Sequence, residues 1–276
     1  MFSKAMTNLL ILLRRVRAFV ARDFRLAISY RMEFSLRILS VLLVVTTLFF
    51  IAKIFGGRSD VALAAWHDPL AAWITGLAVL NYFMTGFSSL ANAVRVEQAQ
   101  GTLESVLMTP IDIPTLVIAS SAWDFVQATF FSFLYLFFGW ILFDVHFRGS
   151  FPLAALFLIL TTLVLASLGI LSASFAMVFK RGDPFGVLLG TGSALFSGVF
   201  FPTEFLGEFR GISRALPPTY GLAGIRQVLI EGKGLNEVKE PLLTLAVFLA
   251  VLLPFSLWVF GRAIRRAKRE GSLVQY

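Results

Sequence analysis

The sequence predicts an all-α, polytopic membrane protein with six transmembrane helices, and three observations carry that prediction. Hydrophobic residues make up 58% of the 276 residues and charged residues only 14%. Mean hydropathy is +0.82. Continuous apolar runs of about 20 residues recur, the length an α-helix needs to cross a hydrocarbon core about 30 Å thick. A transmembrane barrel would instead show short segments of alternating polarity. The chain has no cysteine, which removes disulfides, thiolate metal sites and cysteine nucleophiles together. All 276 residues read as a single transmembrane domain.

The first element, residues 1–32, is expected to be an interfacial amphipathic helix. On a helical wheel Leu9, Leu13, Val16, Phe19, Val20, Phe24, Ala27 and Ile28 share one face, and Arg14, Arg15, Arg22 and Arg25 share the other. Two roles stay open: a polybasic anchor, or a lever linking the first span to cytoplasmic events. Asp23 falls on the apolar face, with a nearby arginine as its only evident partner. The first long apolar run lies too far into the chain, and is too long, for a cleavable signal peptide.

Six spans follow from hydropathy: Ile38 to Phe55, Pro69 to Val94, Thr115 to Phe143, Phe151 to Phe179, Pro184 to Phe201 and Leu242 to Phe260. An even number puts both termini on one side. With the termini inside, the inner face carries 16 Lys/Arg against 7 acids and the outer face 8 against 8. That asymmetry predicts cytoplasmic N and C termini in a multi-pass protein of the cell's inner, cytoplasmic membrane. Residues 95–114 become a cytoplasmic loop, 202–240 an extracytoplasmic segment, and 262–276 a basic cytoplasmic tail. The pI of about 10.2 then reflects topology and anionic lipid, with no need for nucleic acid.

The fifth span carries Gly182, Gly186, Gly190, Ala194 and Gly198, small residues at every fourth position. Such a stripe lets helix backbones approach closely, within one chain or between two copies. Its outer end is bulky and abruptly stopped, at Phe196, Phe200, Phe201 and Pro202. Beyond it, Leu206, Phe209, Ile212 and Leu216 fall at helical spacing, Pro217 and Pro218 break the chain, and Tyr220 to Ile230 can start a second helix. Each piece is too short to span, so short re-entrant or capping helices are expected between spans five and six. Phe196, Phe200, Phe201, Pro202, Pro217, Tyr220 and Arg226 are therefore assigned to the outer mouth. With five acids and five bases, residues 203–240 show no electrostatic preference for a charged substrate.

Catalytic chemistry is mainly absent from the sequence. There is no GxxxxGK[ST] phosphate loop, since Gly232-Lys233 is followed by Gly234. His67 and His146 are isolated, and no metal-binding or GxSxG pattern accompanies them. No catalytic, cofactor-binding or metal-ligating residue is assigned. Asp124 is the one acid near membrane depth; intramembrane and headgroup-level positions are both open.

The remaining feature is a polar island, Arg95 to Pro110, between the second and third spans. Glu97, Gly101 and Glu104 share a helical face, Val106 and Leu107 follow, and Thr109-Pro110 ends the element. The island reads Glu97-Gln98-Ala99-Gln100-Gly101-Thr102-Leu103-Glu104, then Thr109-Pro110. It resembles the cytoplasmic loop of the ABC type-2 transporter permease family, shaped E-x-x-x-G-T-L-E and followed by T-P. A second block agrees: Ser197-Gly198-Val199-Phe200-Phe201-Pro202, then Leu216-Pro217-Pro218-Thr219-Tyr220, then Arg226. The family has an S-G-x-x-F-P segment, a L-P-x-T-Y-like segment and an arginine after it.

The resemblance implies a permease subunit that dimerises with itself or a related permease. It also implies binding to two copies of a separate ATPase subunit, usually for export. ATP and Mg would be bound by that partner and no cofactor by this chain. The coupling loop would comprise Glu97, Gly101, Thr102, Leu103, Glu104, Val106, Leu107, Thr109 and Pro110. Residues 98–100 are Gln-Ala-Gln where relatives often carry charge, so docking would lean less on ion pairs. Abundant aromatic residues and a charge-balanced outer segment suit an amphiphile such as a drug, lipid or lipid-linked glycan; polysaccharide export is the alternative within the family.

Three other readings compete. Gly101 followed by Ile111-Asp112-Ile113-Pro114 resembles the tail of the ABC importer signature, but Arg95-Val96-Glu97 stands where E-A-A belongs. A secondary transporter or channel would need intramembrane charge or broken helices, for which Asp124, Asn81 and Pro254 are the material. A membrane-embedded enzyme would need a polar catalytic set.

Overall fold

A computed structural model describes residues 2–55, 68–99, 113–179 and 184–269. Every regular element among them is helical: α1 (Phe2–Ser29), α2 (Arg31–Phe55), α3 (Pro69–Ala99), α4 (Ile113–Phe143), α5 (Phe151–Phe179) and α6 (Pro184–Phe196). A 3-10 helix (Thr203–Phe209), α7 (Arg210–Ala215), α8 (Pro217–Leu229) and α9 (Lys239–Arg269) are the remaining elements among the described residues. Five of these, α2, α3, α4, α5 and α9, are long and apolar enough to cross a membrane. The polytopic all-α membrane fold expected from composition is the fold observed.

The expected fifth span is where structure and hydropathy part. Helix α6 covers only 13 residues, about 20 Å, and stops at Phe196. Gly198 then takes φ 85°, a left-handed conformation that ends the helix and favours glycine. Residues 197–201 run on as irregular backbone up to Pro202.

Helix α3 is the centre of the bundle. Buried residues make up 72% of its most apolar window, against 11% for α2 and for α9. It packs on α4, α5, α6, α8 and α2. Asp68 Oδ1 accepts the Ala71 N–H at 2.9 Å and caps its first turn. Its seam with α4 is stitched by polar bonds: Asn81 Nδ2 to the Ala128 carbonyl (3.2 Å), Tyr82 OH to Thr129 Oγ1 (2.6 Å) and Ser132 Oγ to the Ala78 carbonyl (2.5 Å). Bonds of this kind contribute roughly 0.6 kcal/mol each between membrane helices, so they set register more than they supply stability.

The α3–α5 contact is closer, and glycine permits it. A Cβ on Gly169 would lie 2.2 Å from the Gly86 carbonyl oxygen, and a Cβ on Gly86 would lie 2.6 Å from Leu165 Cβ. The hydroxyls of Thr161, Thr162, Ser167 and Ser174 on α5 donate to carbonyls one turn back, which satisfies them without water. Helix α9 covers another face of α5, and α8 packs on both.

At the other end of the chain α1 packs on α4, with Phe24 edge-on to Trp123 at 5.9 Å. Arg14, Arg22 and Arg25 are exposed, and so are Phe24 and Ile28 of the apolar face. Asp23 pairs with Arg22 at 2.8 Å, which answers the question its position on the apolar face raised. Leu9, Leu13 and Arg15 have side chains outside the described set.

Gly169→Ala should lower the thermal unfolding midpoint of the detergent-solubilised protein, at a cost of about 1–3 kcal/mol. Gly192→Ala, where an added Cβ meets nothing within 4 Å, should be neutral by the same melting measurement.

Candidate functional site

The end of the bundle where α3 begins is organised around one side chain. Arg226, on α8, turns its guanidinium onto main-chain carbonyls from two other segments. Nε and Nη2 donate to the Ala72 carbonyl at 3.2 and 2.7 Å, Nη1 to Gly198 at 2.6 Å, and Nη2 also to Val199 at 3.2 Å. Trp73 Nε1 donates to the next carbonyl, Phe200, at 2.8 Å. The carbonyls released where α6 unwinds thus find donors inside the protein. Backbone that leaves the helix in a membrane domain is tolerated only on such terms. Burial pushes the Arg226 guanidinium down to about 9, still above neutral pH.

Local sequence positions each part of this cage. Pro217 and Pro218 occupy the first turn of α8 instead of breaking it, because a first-turn residue needs no intrahelical donor. Gly221 and Gly224 then let α8 press against Thr161 and Phe157 of α5, where an added Cβ would come within 2.1 and 2.2 Å. Gly76 does the same for α3: a Cβ there would lie 2.8 Å from both Arg226 Nη2 and the Val199 carbonyl oxygen. Helix α8 therefore folds back against the bundle, with Leu222, Ile225, Val228 and Leu229 buried in it.

The residues assigned to an outer mouth distribute unevenly around the cage. Pro202 and Pro217 are buried, and Phe200 is 44% exposed. Phe196 lies 6.5 Å from Phe209 by ring centroids, and Phe201 is part-buried. Tyr220 donates its hydroxyl to the Arg214 carbonyl at 2.9 Å and stacks obliquely on Phe248. Arg226 faces inward as the cage's cation. Gly186, Gly190 and Ala194 are buried on α6, and a Cβ on Gly190 would come 3.1 Å from Met84 Sδ of α3, so these members of the stripe pack within the chain. Gly198 lies past the helix end and is not part of the stripe, since its φ of 85° takes it off the helical repeat. Gly182 falls outside the described residues.

A polar cavity of about 690 Å³ occupies the middle of the α2–α3–α4 region. Arg37 lies over the Phe131 ring at 5.4 Å and donates to Gln127 Oε1 at 3.1 Å. Ser89 donates to Asp124 Oδ2 at 2.7 Å, so Asp124 faces this cavity and α3 together. Arg37 and Gln127 also line a smaller cavity of about 240 Å³ with Asp23 and Trp123, so their hydrogen bond stands between the two. Among the described residues, no group of His, Asp and Glu is placed to hold a metal ion.

Glu97 belongs to the last turns of α3, while Gly101, Thr102, Leu103, Glu104, Val106, Leu107, Thr109 and Pro110 lie outside the described residues. A profile of the ABC-2 type transporter family matches residues 14–230. The chain belongs to that family. It is a membrane permease component, and permeases of this family generally work with a separate ATPase subunit. The matched region takes in the polar island, the unwound end of α6 and the whole of α8. None of the curated proteins matches the sequence.

Hydropathy alone missed the polar cavity of this ABC-2 permease, although its signal is present: Asn81, Thr85, Ser88 and Asn92 recur at i, i+4, i+7 and i+11 within an apolar span. The carbonyl cage left no such signal, because its acceptors are main-chain atoms.

Arg226→Met, which leaves those carbonyls without their donor, should cost more than about 3 kcal/mol and cut the yield of monodisperse protein in size-exclusion chromatography. Arg226→Lys should not restore it, since one ammonium cannot reproduce a planar fork reaching three carbonyls.

Proposed function

We propose that this chain dimerises, with itself or a related permease, and exports an amphiphilic substrate under the drive of two separate ATPase subunits. The observation that carries the reading is membership of the ABC-2 family across a match that includes the Arg95 to Pro110 island. The sequence supplies no phosphate-cradling loop of its own, which agrees with a partner that binds ATP and Mg.

In this reading the island seats in a groove of the ATPase on the cytoplasmic face. Leu103, Val106 and Leu107 provide apolar docking, and Glu97 and Glu104 provide polar contacts at the rim. ATP binding draws the two ATPases together, each loop moves with its ATPase, and the helices shift between closed and open arrangements of a path at the dimer seam. Only a difference in binding free energy between those two states can move the equilibrium. Drugs, lipids and lipid-linked glycans fit the aromatic, charge-balanced segment after α6; polysaccharide is the second reading within the family.

Co-purification with a Walker-motif ATPase, followed by ATPase stimulation across a panel of amphiphiles and glycans, tests the assignment. Gly101→Val should abolish substrate-stimulated hydrolysis and transport while leaving membrane insertion unchanged. Normal transport by that variant would refute the coupling role.

A further inference from the structure

We infer that the cavity between α2, α3 and α4 binds the net-neutral, hydrogen-bonding headgroup of an amphiphile. Polar side chains inside an apolar span are costly unless they meet protein, water or a ligand. Here three helices turn polar positions toward one space. Helix α3 contributes Asn81, Thr85, Ser88 and Asn92 on a single face. Helix α4 adds Asp124 and Gln127 one turn apart, and α2 adds Arg37.

Helix packing uses only part of this bonding capacity. Thr85 and Ser88 donate to carbonyls one turn back, at Asn81 and Met84, which leaves their oxygens as acceptors. Ser88 and Asn92 are exposed to the cavity side of the chain, although they sit in the most buried of the spans. A volume of about 690 Å³ lies within the range of small-molecule sites, roughly 300–1,000 Å³.

The charges select among occupants. The lining holds one guanidinium and one carboxylate, so a singly charged headgroup satisfies one and opposes the other. A zwitterion can meet both, phosphate to Arg37 and ammonium to Asp124, and a sugar can meet the amides and hydroxyls. A second copy of the chain is a poor occupant. The surfaces it could offer from α2 and α9, such as Leu39, Leu43, Val247 and Val251, are apolar and would leave the polar lining unpaired. One wall of the cavity is α2, whose remaining face is exposed, so a bound headgroup lies one helix away from lipid.

As the place where cargo is selected, the site rests on the export reading; as a lipid-headgroup site it stands without it. The test is native mass spectrometry of the full chain in detergent. The protein is first incubated with equal amounts of phosphatidylethanolamine, phosphatidylglycerol and monoglucosyl diacylglycerol. The neutral lipids should be retained over phosphatidylglycerol on the order of tenfold. Preference for phosphatidylethanolamine alone identifies the zwitterion, and preference for the glycolipid alone identifies the sugar. Asp124→Asn should shift retention toward phosphatidylglycerol, Arg37→Gln should shift it away, and Ser88→Leu, which fills the cavity without removing an inter-helix bond, should lower every adduct. Equal retention of the three lipids, or a lipid profile unchanged in the folded variants, overturns the site. Selective binding by a protein that never stimulates an ATPase overturns the export reading and leaves the site standing.

Discussion

The contact on which this fold most depends is a charged fork closed on main-chain oxygens. Helix α6 ends after 13 residues, and the backbone beyond it must place its carbonyls against donors or lose stability for each one left bare. Arg226 supplies the donors in a plane, and Trp73 extends the row by one. The same guanidinium also takes the Ala72 carbonyl, so the first turn of α3, the tail of α6 and the body of α8 are tied at one point. A purely apolar plug would fill this space without satisfying those oxygens.

From that point the rest of the bundle follows by distance. Helix α3 must stand close to α8 and to the unwound segment after α6, and Gly76 allows it. Farther along the same helix, Gly86 and Gly169 bring α3 and α5 into backbone contact. With its neighbours this near, α3 has little surface left for lipid, and that surface passes to α2 and α9. The polar face of α3 from Asn81 to Asn92 then lines a space shared with α2 and α4, where Arg37 meets Gln127 and Ser89 meets Asp124 at its edges.

How much of this was legible in the sequence depends on the physical origin of each feature. Long apolar runs are set by the thickness of the solvent, so Pro69, Phe143, Phe151 and Phe179 mark helix ends in sequence and in structure alike. Hydropathy counts residues without regard to backbone shape, so it carried the fifth span through Gly198, where φ is positive. The four-residue repeat of small residues is real up to Ala194, but periodicity cannot tell that α3 is what it packs on. Arg226 could be singled out through its motif, yet the main-chain carbonyls it binds carry no residue type whose spacing would betray them. Asp124 is the converse case: its position was open in sequence, and the bond from Ser89 places it against α3.

The cage also has a consequence for how such a chain can vary. Its acceptors belong to Ala72, Gly198 and Val199 as peptide units, and their side chains take no part in the bonds to Arg226. Substitution at 72 or 199 is therefore limited only by room, whereas 76 and 198 are held to glycine by contact distance and by dihedral angle. The identity of the segment resides in the path of its peptide groups. Two descendants of this protein could diverge at most side chains there and still present Arg226 with the same ring of oxygens.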